Sequence, residues 1–170
     1  GSFRVITHNV VTAEKLLNYS SKAQLEQILK EYGEEQFASQ IAQAIVKARA
    51  QRHLQKTSQL VRIIEETTPR WYQRKKIHPA TKTFQALRIA ANNELENLRE
   101  GLRQATVLAS PNGKIAVISF HSLEDRIVKE FFKHEALLKP MNKKPITPSL
   151  EEVRRNPRAR SAKLRIAIKS

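Results

Sequence analysis

The sequence predicts an α/β protein that is predominantly helical, and three observations carry that class. Apolar residues recur at steps of three and four through most of residues 12–133, the period of amphipathic helices. The continuous β-branched run Lys114-Ile115-Ala116-Val117-Ile118-Ser119-Phe120 has the composition of a buried strand. Near the end, Ala162-Lys163-Leu164-Arg165-Ile166-Ala167-Ile168 alternates with period two, as a half-buried strand does. A chain of 170 residues holds one domain, or one with a small subdomain, and can bury a real core.

Taken in order, Gly1-Ser2 reads as an expression scar, and residues 1–11 as scar and linker. The start, Phe3 to His8, has no signal-peptide core. Thr12 suits the N-cap of a short helix through Leu16-Leu17, and Ser21 with Gln24 forms a capping box for the next. Leu25, Ile28, Leu29 and Tyr32 share one face there, with Gly33 as the expected C-cap. Phe37, Ile41, Ile45 and Ala48 mark a third helix. Thr57 or Ser58 opens a fourth, with Leu60, Ile63 and Ile64, ending before Pro69. Residues 12–68 thus predict a four-helix unit with narrow apolar stripes.

Pro69 to Pro79 is expected to be a break, rich in basic and aromatic residues. From Ala80, the spacing of Phe84, Leu87, Ala91, Leu95, Leu98, Leu102 and Ala105 predicts one long helix. Pro111-Asn112-Gly113 makes a turn into the first strand. Leu123 to Lys133 predicts a helix burying Ile127, Val128, Phe131 and Phe132. Leu138 to Pro157 is a Pro- and Lys-rich connection to the last strand. A sheet with so few strands is too small to stand alone, so either strands are missing or the chain pairs with something. A homodimer through an exposed half-sheet edge is one such outcome.

Composition narrows the function. Only four glycines occur, where average usage of about 7% would give about twelve. Outside the scar they are Gly33, Gly101 and Gly113, too far apart for a Gly-rich cofactor loop. No cysteine means no disulfide and no cysteine-based zinc site, which fits a cytoplasmic protein. His8, His53, His78, His121 and His134 lack metal-ligand spacing, so no metal is assigned. No apolar run approaches the ~18 residues of a membrane span.

Lys and Arg number 31 against 16 acids, a net charge of +15, and the excess is clustered. Residues 47–62 and 70–82 carry five basic residues each and no acid; residues 139–170 carry ten against Glu151 and Glu152. Clustered positive charge with interspersed aromatics points to nucleic acid, with a merely stabilising basic surface as the plainer alternative.

Three clusters are candidates for chemistry. His121-Ser122-Leu123-Glu124-Asp125-Arg126 follows the buried strand, where open α/β sheets bind ligands and a helix N-terminus offers free N–H groups. His121, Ser122, Glu124 and Asp125 are the candidate catalytic residues bordering that pocket. The alternative is plain capping: Ser122 as the cap, Glu124 and Asp125 facing the helix dipole, and Arg126 pairing with one of them. The second cluster, Lys76 to Arg88, presents Lys76, His78, Lys82 and Arg88, joined upstream by Arg74 and Lys75. It suits phosphate, or equally an ordinary cap at Thr81. Trp71 and Tyr72 either stack on bases or pack a loop onto a helix. The third cluster has four arginines within residues 154–160, including Arg158 and Arg160, followed by Lys163. Guanidinium forks match phosphate oxygens, so RNA contact or a structural role near a cofactor is expected there.

These stretches occur in a familiar order. Tyr32-Gly33-Glu34-Glu35, Ile41-Ala42-Gln43-Ala44-Ile45-Val46, Lys76 through Ile89, Ile118 through Arg126 and Asn156 through Arg165 together resemble the bacterial small-subunit ribosomal RNA cytosine-N4 methyltransferases, the RsmH/MraW family. The likeness covers essentially the whole chain after the scar. It implies the C-terminal half of a Rossmann-like, S-adenosylmethionine-dependent methyltransferase core plus an inserted α-helical subdomain that helps hold RNA. Residues 12–75 would be the insertion and 76–170 the core portion. The family's Gly-rich cofactor loop and ribose-binding acid lie upstream of such an insertion. No cofactor-binding residue is therefore assigned here, and this chain alone is expected to be inactive and to bind no cofactor.

The expected partner is ribosomal RNA of the small subunit. Arg74, Lys75, Lys76, His78, Lys82, Arg88, Arg158, Arg160 and Lys163 are the candidate RNA contacts. The alternative is a non-catalytic basic RNA-binding or helical association module.

Overall fold

The computed structural model describes residues 11–170, so Gly1 to Val10, most of the stretch expected to be scar and linker, lie outside the described residues. The chain divides into two compact units, Gly1–Glu94 and Leu95–Ser170.

The first unit is helical. It contains α1 (Ala13–Tyr19), α2 (Lys22–Gly33), α3 (Ala38–Gln51), α4 (Thr57–Thr67), the single turn α5 (Arg70–Gln73) and α6 (Thr81–Asn92). Thr12 Oγ1 accepts from Lys15 N–H at 3.1 Å, and Ser21 and Gln24 close the expected capping box at 3.1 and 2.7 Å. Leu25, Leu29, Ile41, Ile45, Leu60, Ile64 and Leu87 are fully enclosed, forming one core with Leu17, Leu54 and Ala86. Each such side chain contributes on the order of 1.5–3 kcal/mol of burial.

Several local expectations are corrected. Gly33 does not form the left-handed cap of α2. It is the last helical residue, and Glu34 takes that conformation (φ 47°, ψ 41°). Glycine is needed at 33 because a Cβ there would lie 2.9 Å from the Lys82 carbonyl oxygen and 3.2 Å from Ala86 Cβ, where α2 crosses α6. Neither Thr57 nor Ser58 caps α4: the Gln59 side chain accepts from the Gln55 and Lys56 N–H groups at 2.9 and 2.8 Å. The break after Pro69 contains α5, for which proline supplies an extended start. Helix α6 packs on α2 and α1, so the packed unit runs to Glu94. That division is one of packing, and it falls at Glu94/Leu95 rather than at the 75/76 boundary expected from the sequence.

The predicted long helix is two. Asn93 adopts the left-handed conformation (φ 51°, ψ 39°) between α6 and α7 (Glu94–Leu108). Asparagine is among the few residues that take this geometry at low cost. Arg88 closes over the break with three hydrogen-bonded contacts to the Glu94 carboxylate, at 2.9, 3.1 and 3.3 Å. The apolar period continues through the break but serves two cores, Phe84 and Leu87 in the first and Leu98, Leu102 and Ala105 in the second.

In the second unit α7 leads to β1 (Lys114–Ser119), α8 (Ser122–His134), β2 (Leu138–Pro140), α9 (Leu150–Arg155), a 3-10 turn (Pro157–Ser161) and β3 (Lys163–Lys169). The expected irregular connection thus holds β2 and α9. The sheet has the order β1-β3-β2, and β3 runs antiparallel to both neighbours. β1 and β2 are therefore parallel to each other, with α8 as their crossover. Ile115 and Val117, cross-strand partners of Ala167 and Arg165, turn toward α7 and α8. There they meet Leu102, Val128 and Phe132. Ala116 and Ile118 point to the opposite face, Ile118 with 58% exposure.

Candidate functional site

The strand-to-helix junction of the second unit brings two of the four candidate catalytic residues, His121 and Glu124, together through local bonds. β1 ends at Ser119, the chain turns at Phe120, and His121 in extended conformation becomes the N-cap of α8. His121, not Ser122, is the cap. Its Nδ1 accepts from the Glu124 N–H at 3.3 Å. The Glu124 carboxylate reaches back to accept from the Phe120 N–H at 2.8 Å. This is the reciprocal logic of a capping box, with an imidazole in place of the hydroxyl. With Nδ1 accepting, the neutral ring carries its proton on Nε2. That nitrogen lies 3.3 Å from Glu124 Oε1, an ion-pair distance without hydrogen-bond alignment. It is buried and has no aligned partner among the described residues. Burial opposes charge on Glu124. The His121 ring and the Phe120 N–H outweigh it and hold the carboxyl below its ordinary range. Ser122 is exposed at the first turn.

Asp125 turns the other way, into the unit. Its carboxylate receives the Arg165 guanidinium at both oxygens, Nε at 2.7 Å and Nη2 at 3.2 Å, and Lys163 Nζ at 3.3 Å. Desolvation works against the charged form, yet these two cations hold the carboxyl below its usual value. The chain's only aspartate ties α8 to β3. Sequence reasoning missed Arg165. The alternation hid it: Leu164, Ile166 and Ile168 read as the inward face, whereas the structure buries Arg165 and Ala167.

The candidate RNA contacts separate into cations already engaged and cations left to solvent. In the first unit, Lys82 donates to the Glu34 carbonyl at 2.8 Å, and Arg88 is held by Glu94. His78 Nδ1 accepts from the Ala80 N–H at 3.2 Å, with Nε2 3.8 Å from Glu65. Arg74 and Lys76 are exposed and make no ion pair among the described residues. Lys75 lies 5.0 Å from the Trp71 ring centroid and 4.9 Å from that of Tyr72. In the second unit, Lys163 is drawn to Asp125, whereas Arg158 and Arg160 are exposed on the 3-10 turn. That turn is anchored by Asn156 Oδ1, which accepts from the Arg158 N–H, and by buried Ala159.

Comparison with known proteins decides the family. The family model described as the MraW methylase family matches residues 2–170. The chain belongs to the MraW methylase family. Both units of this MraW chain fall within the match. It is similar to "Ribosomal RNA small subunit methyltransferase H" of Persephonella marina, 52% identical over 159 residues, covering 92% of this chain and 54% of that protein. The protein of the same name from Heliobacterium modesticaldum is 46% identical over 184 residues, covering 98% and 59%. That of Pseudothermotoga lettingae is 51% identical, covering 92% and 53%. This MraW chain therefore spans somewhat more than half the length of the curated relatives it matches. No helix among its described residues is long and apolar enough to cross a membrane.

Proposed function

We propose that this chain is the C-terminal portion of an S-adenosylmethionine-dependent methyltransferase that methylates N4 of a cytidine in small-subunit ribosomal RNA, in the cytoplasm. The observation that carries this reading is the match to proteins named ribosomal RNA small subunit methyltransferase H at 43–52% identity along nearly the whole chain. On this reading residues 12–75 are an inserted RNA-holding subdomain, and 76–170 complete a Rossmann-like core. β1 borders the described sheet, and we place the rest of that core there in preference to a second copy.

On this reading the described residues do not by themselves fit S-adenosylmethionine. Gly33 is used where α2 crosses α6, Gly113 closes a turn against Ser110, and Gly101 faces open space on α7. Asp125 is held by Arg165 and Lys163. The cofactor is therefore assigned to the upstream part of the protein, and no step of the reaction is built on this chain's contacts with it.

The chain's own part is recognition and orientation. A cytosine amine is a poor nucleophile because its lone pair is delocalised into the ring, so holding it in line matters more than strong base chemistry. Arg74, Lys76, Arg158 and Arg160 are free to take phosphates. At the β1–α8 junction, His121 Nε2 is the polar atom left for a substrate group, while Glu124 and Asp125 are engaged in the fold.

Restoring the upstream segment and supplying labelled S-adenosylmethionine with small ribosomal subunits is expected to give methyl transfer to cytidine N4. A folded, extended protein that binds the RNA and transfers nothing would overturn the catalytic reading in favour of a binding module. Calorimetry of the present chain with S-adenosylmethionine is expected to show no binding at micromolar concentration. A micromolar dissociation constant would refute the upstream assignment of the cofactor.

A further inference from the structure

The single turn α5 is fastened on one side and open on the other. Tyr72 is buried, and its hydroxyl donates to Glu35 Oε2 at 2.7 Å; Glu35, itself buried, accepts the Phe37 N–H on Oε1 at 3.0 Å. The Phe37 ring stands edge-on to Tyr72 at 5.0 Å. Gln73 fixes the far end of the turn by donating to the Glu65 and Thr68 carbonyls at 2.6 and 2.7 Å. Between these two anchors Trp71 is left 57% exposed. Its ring is steadied by the tilted Phe37 ring at 5.9 Å and the Tyr72 edge at 6.0 Å. The two aromatics that the sequence left open are thus separated by the fold: Tyr72 packs and Trp71 does not.

The stretch of sequence around Trp71 carries one sign of charge. Arg70, Arg74 and Lys76 are exposed without an ion pair among the described residues, and Lys75 Nζ hangs 5.0 Å from the Trp71 centroid. No acid occurs between residues 70 and 82. An exposed indole with Lys75 over its ring and exposed Arg70, Arg74 and Lys76 beside it in sequence resembles the arrangement that single-stranded nucleic acid uses: stacking on a π-face, with phosphates beside it.

We propose that Trp71 is a stacking platform for an unpaired RNA base, with Arg70, Arg74, Lys75 and Lys76 taking the adjoining phosphates. This rests on the RNA reading above and adds to it a residue and a mode of contact.

Trp71 is the only tryptophan of the chain, so intrinsic fluorescence reports on it alone. The chain is titrated with a twelve-nucleotide single-stranded RNA, and with an abasic strand of the same length, while binding is followed separately by anisotropy of end-labelled strands. The expected result is quenching that saturates with the binding curve for the RNA, and none for the abasic strand although it binds. Trp71→Ala is expected to weaken RNA binding about tenfold or more at fixed salt, with the salt dependence unchanged. Trp71→Phe, a milder change that keeps the contacts to Phe37 and Tyr72, is expected to lose less. RNA that binds by anisotropy without quenching, together with a Trp71→Phe variant indistinguishable from the parent in abasic discrimination, would overturn the stacking platform and leave the RNA reading intact. Absence of any RNA binding at low salt would overturn both.

Discussion

At residue scale, the acids of the β1–α8 junction do different work although adjacent in sequence. Asp125 is paired within the unit, its side chain and that of Arg165 being about nine-tenths enclosed. Removing one member of such a pair strands the other, so Asp125→Asn is expected to cost about 3 kcal/mol at neutral pH, measured by denaturant unfolding. The pH dependence follows from the direction of the shift. The folded carboxyl sits below its unfolded value, so its contribution is complete above the ordinary carboxylate range near ~4 and fades as pH falls through that range toward the folded value. The gap between parent and variant should therefore close in acid, and a gap that widened would contradict the pairing. His121 allows a cleaner separation of roles. Asparagine is a good N-cap and alanine is not, so His121→Asn should leave stability nearly unchanged while His121→Ala loses about 1 kcal/mol. If Nε2 serves the substrate, both variants of the complete enzyme lose turnover together. Turnover that survives in His121→Asn would reduce His121 to a cap.

At the scale of elements, Gly33 sets the distance between α2 and α6. An alanine there would gain up to about 1 kcal/mol in helix propensity. It would also place a methyl 2.9 Å from a backbone oxygen that cannot swing away. Overpacking of this kind costs typically about 1–3 kcal/mol, so Gly33→Ala is expected to destabilise by about 1 kcal/mol, read as a lowered unfolding midpoint. The starts of α1 and α2 and the first strand were legible in the sequence because their causes are local: Thr12, Ser21 with Gln24, and the β-branched run at 114–119. The break at Asn93 was not, because apolar spacing is blind to which core each residue joins, and the stripe from Phe84 to Ala105 stays in phase across it. β2 was faint because three residues and a proline carry little pattern. In the candidate site, Asp125 was visible as the lone aspartate, yet its partners lie 38 and 40 residues away, beyond any local rule.

For the whole molecule, a net charge of +15 overstates what is free to meet a polyanion, because the fold has already engaged part of it. Arg88, Lys163 and Arg165 face carboxylates, and Lys82 a carbonyl. Arg74, Lys76, Arg158 and Arg160 face water. Each cation that neutralises a phosphate of a single strand adds roughly 0.7 to the slope of log affinity against log salt. If Arg158 and Arg160 each take one phosphate, the double variant Arg158→Ala/Arg160→Ala should lower that slope by about 1.4. Arg74→Ala/Lys76→Ala should do the same from the first unit. Arg88→Ala is the internal control. Its guanidinium is tied to Glu94 across the α6–α7 break, so its removal should leave the slope unchanged while loosening the break itself. Filter binding across a salt series, with each variant first shown to be folded, measures all three. Equal slopes lost from Arg88 and from Arg158 would mean that pairing inside the protein does not decide which cations reach the RNA.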